Sequence, residues 1–327
     1  MLELRLLGYP EVTYKGELVT EFISNKALVL LCYLALQRQI HTREKLAGLF
    51  WGEMTSQRAK ANLRQALHNL GKLFPDTLKT TRQTATLDIN FTLKTDIDTL
   101  FNADDDATCA TIYRGAFLEG VNIDDAPELD DWIRSLRERC RLTIIDVLGR
   151  LSVSALRTQM WDTVVENARR LLEIEPLHEA SHRRLMLALA RQGDYDAALR
   201  QYRTCVNSLD MELDVEPMPE TITLYERIVA ARNTPRHNLP DEPVTFIGRE
   251  DALCTLRAWI GETDSRLMTI LGPGGVGKSR LARHFALQNR QNFLNGVRYV
   301  PLAPVTRADL FIPAVAQAMG LSLTGSG

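Results

Sequence analysis

Apolar residues in the stretch SQRAKANLRQALHNLGKLF, residues 56–74, recur at steps of three and four: Ala59, Leu63, Ala66, Leu67, Leu70 and Leu73. That spacing predicts an α-helix with one stripe turned to a core. Ser56 is the expected N-cap, and Pro75 stops the helix just after Phe74. Lys60, Arg64, Gln65, His68 and Lys72 fall on the other faces. Upstream the period shortens to two. Leu2, Leu4 and Leu6 alternate with Glu3 and Arg5, which predicts a half-buried strand. Val12 with Tyr14, then Leu18 with Phe22, predict two more short strands around a Lys15-Gly16 turn. KALVLLCYLALQ is apolar nearly all round and reads as a core helix opening near Ser24 or Asn25. Thr42 caps a short helix, REKLAGLFW, with Leu46, Leu49 and Phe50 inward. Trp51 sits in the same apolar cluster and is assigned to the core rather than to base stacking. From Leu78 to Asn90 the chain is rich in Thr and predicts a β-hairpin carrying Lys79 and Arg82.

Three helices followed by a hairpin make a winged helix-turn-helix. From Arg58 to Arg82 there are six basic residues and one acid, Asp76. An apolar-backed helix with such a front can offer donors to phosphates and base edges; the competing reading is the solvated face of a core helix. With its leading strands, the stretch 1–95 resembles the OmpR/PhoB-type winged helix. The resemblance implies that the third helix enters the major groove of double-stranded DNA and that the hairpin touches backbone or minor groove. The candidate DNA-binding residues are Arg58, Lys60, Asn62, Arg64, Gln65, His68 and Lys72 on the helix, with Lys79 and Arg82 on the wing.

Composition adjusts this picture. At 327 residues the chain has room for two or three domains, and its net charge of -2 excludes a general polyanion binder. The charge is uneven. Residues 1–95 carry 13 basic against 8 acidic residues, whereas 96–131 carry Arg114 alone against 11 acids. The acidic stretch is either solvated surface or a block that folds against the basic face and damps non-specific binding. Five widely spaced cysteines without C-x-x-C predict reduced, mostly buried thiols in a cytoplasmic protein. MLELRLLGYP is not a signal peptide, and no apolar run reaches the ~18 residues of a membrane span, so no membrane partner is expected.

Residues 96–233 read as helix after helix. Trp132, Leu136, Cys140, Ile144, Val147 and Leu151 form one long stripe, and helical patterns follow at 162–175, 178–191, 194–209 and 219–232. Trp161 and Tyr195 are 34 apart, as are Ala168 and Tyr202, the period of tetratricopeptide repeats. YRGAFLEG at 113–120, the run from Leu171 to Tyr202, LDVEP at 213–217 and TLYERI at 223–228 resemble the bacterial transcriptional activator domain. In the SARP group of antibiotic regulators and their larger AfsR-like relatives, that domain follows an OmpR-type winged helix. The resemblance implies self-association, a homodimer at least on DNA, binding to promoter repeats, and contact with RNA polymerase. His178-Glu179-x-x-His182 matches the zinc-protease spacing. The activator-domain match accounts for the same residues, and no catalytic residue is assigned.

Residues 234–243 read as a linker, and 244–327 open a third module. LMTIL, 267–271, predicts a buried parallel strand, followed at once by GPGGVGKS and a helix, RLARHFALQ. That is the strand–loop–helix context a P-loop requires. Gly272, Pro273, Gly274, Gly275, Val276 and Gly277 would close backbone N–H groups round a phosphate; Lys278 would reach the β/γ-phosphates, and Ser279 would hold Mg²⁺. The flanks resemble the STAND (NB-ARC-like) ATPases: FIGRE at 246–250, a second strand at 296–305 and a helix at 312–321. In that family the leading motif brackets adenine, which implies Ile247, Gly248 and Arg249 as further contacts. The expected cofactor is ATP or ADP with Mg²⁺. No acidic residue ends a later apolar strand. The stretch is therefore expected to be the front of an NTPase domain that does not turn over ATP. The fold class expected is mainly α and multidomain: winged helix-turn-helix, TPR-like repeats, then part of a P-loop α/β domain. The function expected is a DNA-binding transcriptional activator regulated by nucleotide. The alternatives are a STAND signalling ATPase with an N-terminal scaffold, or a repeat-type interaction protein without a DNA role.

Overall fold

The computed structural model describes residues 1–88, 91–123, 125–233, 237–240, 246, 248–261, 267–290, 293 and 296–321. It is mainly helical and divides into two compact units, Met1–Arg150 and Leu151–Gly327.

In the first unit, β1 (Leu2–Arg5) pairs antiparallel with β2 (Glu11–Tyr14), which turns into β3 (Glu17–Leu18). Lys15 and Gly16 make that turn with φ of 52° and 94°, the paired left-handed conformation that a two-residue hairpin needs to match strand twist. Phe22 lies beyond the strand and packs on Phe74 instead. α1 (Asn25–Gln37) is capped by Ser24, whose side chain accepts from Ala27 N, and is buried on nearly every side. β4 (His41–Thr42) leads into α2 (Arg43–Trp51), capped by the Thr42 hydroxyl. α3 (Ser56–Leu73) follows a short turn. Its N-cap is Thr55 and not Ser56, and Thr55 makes no side-chain cap bond, so the expected Ser56 cap is corrected by one position. Beyond α3, β5 (Leu78–Thr80) and β6 (Thr84–Leu87) form the predicted hairpin, with β4 added to the edge of β6. Asn90, the predicted hairpin end, lies outside the described residues.

β7 (Leu93–Thr95) then returns to β1 and pairs with it in parallel. It delivers Asp96, the first residue of α4 (Asp96–Asn102), to the sheet edge. The backbone N–H groups of Leu6 and Leu7 donate to the Asp96 carboxylate at 2.7–2.9 Å. α5 (Asp106–Ile112) and α6 (Pro127–Arg157) continue the chain. Between them, Leu118 N donates to Leu6 O and Gly8 N to Ala116 O. The Arg137 guanidinium on α6 donates to the carbonyls of Phe117, Leu118 and Val121. Trp132 on α6 packs edge-on against Tyr33 and Phe117. Much of the acidic stretch is engaged here: Asp105 caps α5, Asp106 pairs with Arg150, and Asp98 pairs with Arg38.

The second unit contains α7 (Trp161–Ile174), α8 (Glu179–Gln192), α9 (Tyr195–Leu213) and α10 (Pro219–Asn233). Trp161 and Tyr195 both occupy the first helical position, so the 34-residue spacing marks equivalent points of two helix pairs. Ala168, Leu185, Met186, Ala198 and Ile228 form their shared core. α11 (Glu250–Gly261), α12 (Lys278–Gln288) and α13 (Phe311–Met319) complete the described helices. Two strand expectations are corrected. Residues 267–271 and 296–305 form no ladder; Leu267 and Leu271 are 89% and 86% exposed, and Val297 makes only an isolated bridge to His237. A parallel strand needs neighbours to bond its backbone and cover both faces. Among the described residues no strand pairs with 267–271, and Met268 and Ile270 pack on Leu253, Leu256, Leu281 and Phe285 instead.

Burial pushes the Asp96 carboxyl above the usual carboxylate range, against the opposing Leu6 and Leu7 N–H groups and Arg114. A raised acid binds its proton more readily folded than unfolded. Its contribution to stability is full below the unfolded pKa and is lost as pH rises through the folded one. Relative to Asp96→Asn, the wild-type chain should therefore lose stability on raising the pH through the carboxylate range, with the difference flat beyond it. Asp96→Ala leaves two buried donors unmet and should cost about 2–4 kcal/mol in urea unfolding.

Candidate nucleic-acid interface

The interface is set by what α3 buries. Ala59, Leu63, Ala66, Leu67 and Leu70 are at most 5% exposed, against α1 and α2. Arg58, Lys60, Arg64, Gln65, His68 and Lys72 are exposed on the same helix, and Asn62 is half-buried. The structure thus brings seven of the predicted residues together on one element. Among the described residues, Arg58, Arg64, His68 and Lys72 form no salt bridge, while Lys60 approaches Glu44 of α2 at 4.0 Å. Asn62 donates to the Met54 sulfur at 3.3 Å, which ties it to the turn before α3.

Both wing residues are exposed but differ in state. Lys79 on β5 pairs with Asp88 at 2.7 Å, a partner the sequence did not suggest. Arg82 occupies the hairpin tip. The Thr81 hydroxyl accepts from Gln83 N and Thr84 N, and Thr81 N donates to Thr84 O, so the tip is shaped by its own side chain. Register links wing and helices: Thr42 pairs with Thr84 of β6 while its hydroxyl caps α2.

Two positioning residues were missed at the sequence level. The Tyr14 hydroxyl donates to Pro75 O at 2.7 Å, and its ring meets Phe74 edge-on, fixing the C-terminal end of α3 to the sheet. Asn69 accepts from Ile23 N and donates to Glu21 O, holding the loop before α1 against α3. An aromatic in a short strand and one Asn among the polar positions of a helix carry no pattern that announces these long-range contacts.

The second predicted set lies at the start of α12. Gly272, Gly275 and Gly277 have φ of 155°, 76° and 88°, conformations L side chains rarely adopt. Beyond the backbone of Gly274, Gly275 and Gly277 is open space. Lys278 Nζ donates to the carbonyls of Gly272 and Pro273 at 2.8 Å, and Arg249 donates to Val276 O. Val276 and Ser279 are exposed, and Gly248 with Arg249 is also left-handed. Ile247 lies outside the described residues.

The H-E-x-x-H residues are engaged elsewhere. His178 caps α8, accepting from Ser181 N, and His182 bonds Pro176 O and Gln201. Glu179 accepts from Met218 N and the Thr221 hydroxyl, joining α8 to the start of α10. Cys32, Cys109, Cys140 and Cys205 are buried and Cys254 is exposed; burial pushes Cys140 up to about 12 and Cys205 to about 11. Among the described residues, no helix is long and apolar enough to cross a membrane.

The model of the bacterial transcriptional activator domain matches residues 102–229. The chain is similar to the regulatory protein AfsR of Streptomyces griseus, 26% identical over 92% of this chain and 34% of that protein. It is 33% identical to AfsR of Streptomyces coelicolor over 40% of this chain and 16% of that protein. The chain therefore spans about a third of the first relative's length (34%). Its fold is similar to that of Mycobacterium tuberculosis EmbR, solved in complex with low affinity phosphopeptide. The TM-score is 0.52 at 20% identity, covering 82% of this chain and 72% of that one. A winged helix thus comes first, a stretch that matches the bacterial transcriptional activator domain follows it, and the likeness to an AfsR regulatory protein runs over 92% of this chain.

Proposed function

We propose that the chain is a cytoplasmic, sequence-specific DNA-binding activator that docks α3 in the major groove of promoter repeats, with the wing on the backbone. The observation that carries this reading is the division of one helix: an apolar stripe buried to within 5% exposure and an exposed polar front on which Arg58, Arg64 and Lys72 form no salt bridge among the described residues. Arg and Lys there can hold phosphates, while Arg64, Gln65 and His68 have the donors and acceptors that read base edges. Dimerisation through the helical repeats would set two winged helices on paired half-sites, and RNA polymerase would be the partner of the assembled pair.

We further propose that Gly272–Ser279 holds the phosphates of ATP or ADP. Left-handed glycines ahead of a helix N-terminus support an anion cradle, and the residues fit: Lys278 sits over the loop and Ser279 presents a hydroxyl for Mg²⁺. When bound, the nucleotide would supply charge that biases the packing of this module, regulating the activator rather than driving chemistry in it. The signalling-ATPase reading is second, resting on the same loop.

Arg64→Ala and His68→Ala should each weaken binding to the specific promoter by about 1–3 kcal/mol in a footprint titration and relax sequence preference. Unchanged footprints would remove α3 from the groove. Lys79→Ala and Arg82→Ala should weaken all duplexes alike and lower the salt slope by about one each, if their cations meet phosphates. Lys278→Ala should abolish retention of labelled ATP or ADP while leaving duplex affinity unchanged. Steady-state hydrolysis by this chain that depends on Lys278 would instead favour the ATPase reading.

A further inference from the structure

Between the root of the wing, strand β7 and the end of α1 lies a cavity of about 390 Å³. Leu2, Leu87, Phe91 and Leu93 give it an apolar lining, and Arg38 and Asp88 bring charge to it. Its volume falls in the range of sites for small organic molecules, about 300–1,000 Å³. None of the four apolar residues takes part in the duplex contacts proposed above.

The two charges are not equivalent. Asp88 is already matched by Lys79 at 2.7 Å and is mostly covered. Arg38 is held at the end of α1 in a left-handed conformation, φ 46°, with its N–H bonded to Leu34 O. Its Nη2 donates to Asp98, and its side chain remains 54% exposed. A guanidinium carries five donors in a fixed fork, so one bond to Asp98 leaves others for a second carboxylate. We propose that this cavity binds a small carboxylic acid with an aryl or branched-alkyl body. The body lies on Leu87, Phe91 and Leu93, with Leu2 behind them, and the carboxylate meets Arg38.

The position gives such a ligand leverage. Phe91 stacks on Tyr14, whose hydroxyl holds Pro75 just past α3, and Leu87 ends the wing strand β6. A bound acid therefore touches the supports of both duplex-facing elements. Any effect on DNA rests on the reading above; the binding itself does not. By linkage, the acid and the duplex must change each other's affinity by the same factor.

The test uses 3-phenylpropionate and the uncharged 3-phenylpropan-1-ol, each titrated into the whole chain without DNA and followed by ligand-observed NMR. The acid should bind saturably, and the alcohol about tenfold more weakly, because it forfeits the charge-assisted bonds to Arg38. Arg38→Asn keeps a residue that tolerates the left-handed cap and should bring acid and alcohol to equal affinity. Leu93→Trp should fill the cavity and abolish acid binding, with an unchanged circular dichroism melt showing that it folds. The proposal is overturned if the acid fails to saturate by ~10 mM. It is equally overturned if the alcohol binds as well as the acid to wild type, or if folded Leu93→Trp binds unchanged. Acid binding by a chain that ignores every duplex would leave the site standing and defeat the DNA reading alone.

Discussion

The face that α3 presents to solvent depends on the burial of the stripe behind it. Leu63, Leu67 and Leu70 on α3 each remove a large side chain from water, worth roughly 1.5–3 kcal/mol apiece. Turning the helix by one residue, roughly 100°, would exchange those leucines for Arg64, His68 and Gly71. It would lose the leucine burial and sink an unmatched guanidinium in the core, which is strongly unfavourable. The cationic front is therefore held outward by the hydrophobic effect on the other side. Neither side of the helix determines the arrangement alone.

Orientation also needs the ends of α3 to be fixed, and here short-range rules give way to tertiary contacts. The N-terminus lacks a side-chain cap, since Thr55 makes none. The helix is steadied instead by α2 beside it and by Asn69 and the Tyr14–Pro75 bond towards its far end. The acidic stretch could have neutralised the basic front. Four of its eleven carboxylates serve other ends instead: Asp96 on the backbone of Leu6 and Leu7, Asp98 on Arg38, Asp105 on α5, Asp106 on Arg150. Among the described residues, the one carboxylate within salt-bridge distance of an α3 cation is Glu44. A chain near electrical neutrality can thus keep one strongly positive surface, provided its acids are committed elsewhere by geometry.

What could be read from the sequence was what repeats. The 3.6-residue period of α3, the two-residue period of β1 and the 34-residue spacing of Trp161 and Tyr195 each describe a local or stacked unit, and each is present. The hairpin was legible because Thr-rich strands flank a polar tip. Contacts that join distant segments were not. The parallel return of β7 to β1, the Asp96 carboxylate on Leu6 and Leu7, and the Lys79–Asp88 pair have no periodic signature. The strands expected at 267–271 and 296–305 failed for the complementary reason: an apolar run states only that cover is needed, and a ladder requires neighbours to give it. The glycine-rich loop between them kept its local geometry, because left-handed glycines ahead of a helix need no sheet to be left-handed.

The His178–His182 motif shows how far a spacing can be trusted. Two histidines four apart share a face only if both are helical. His178 has φ -77° and ψ 85° and stands outside α8 as its cap, its ring turned to Ser181 N. His182 lies one turn in, between Pro176 O and Gln201, and Glu179 reaches across to α10. Three residues whose pattern suggests one metal centre serve three separate ends: His178 caps its own helix, His182 reaches Gln201 of α9, and Glu179 reaches the start of α10. The same test of local conformation favours α3, where every predicted contact residue from Arg58 to Lys72 lies within the helix that the spacing assumed.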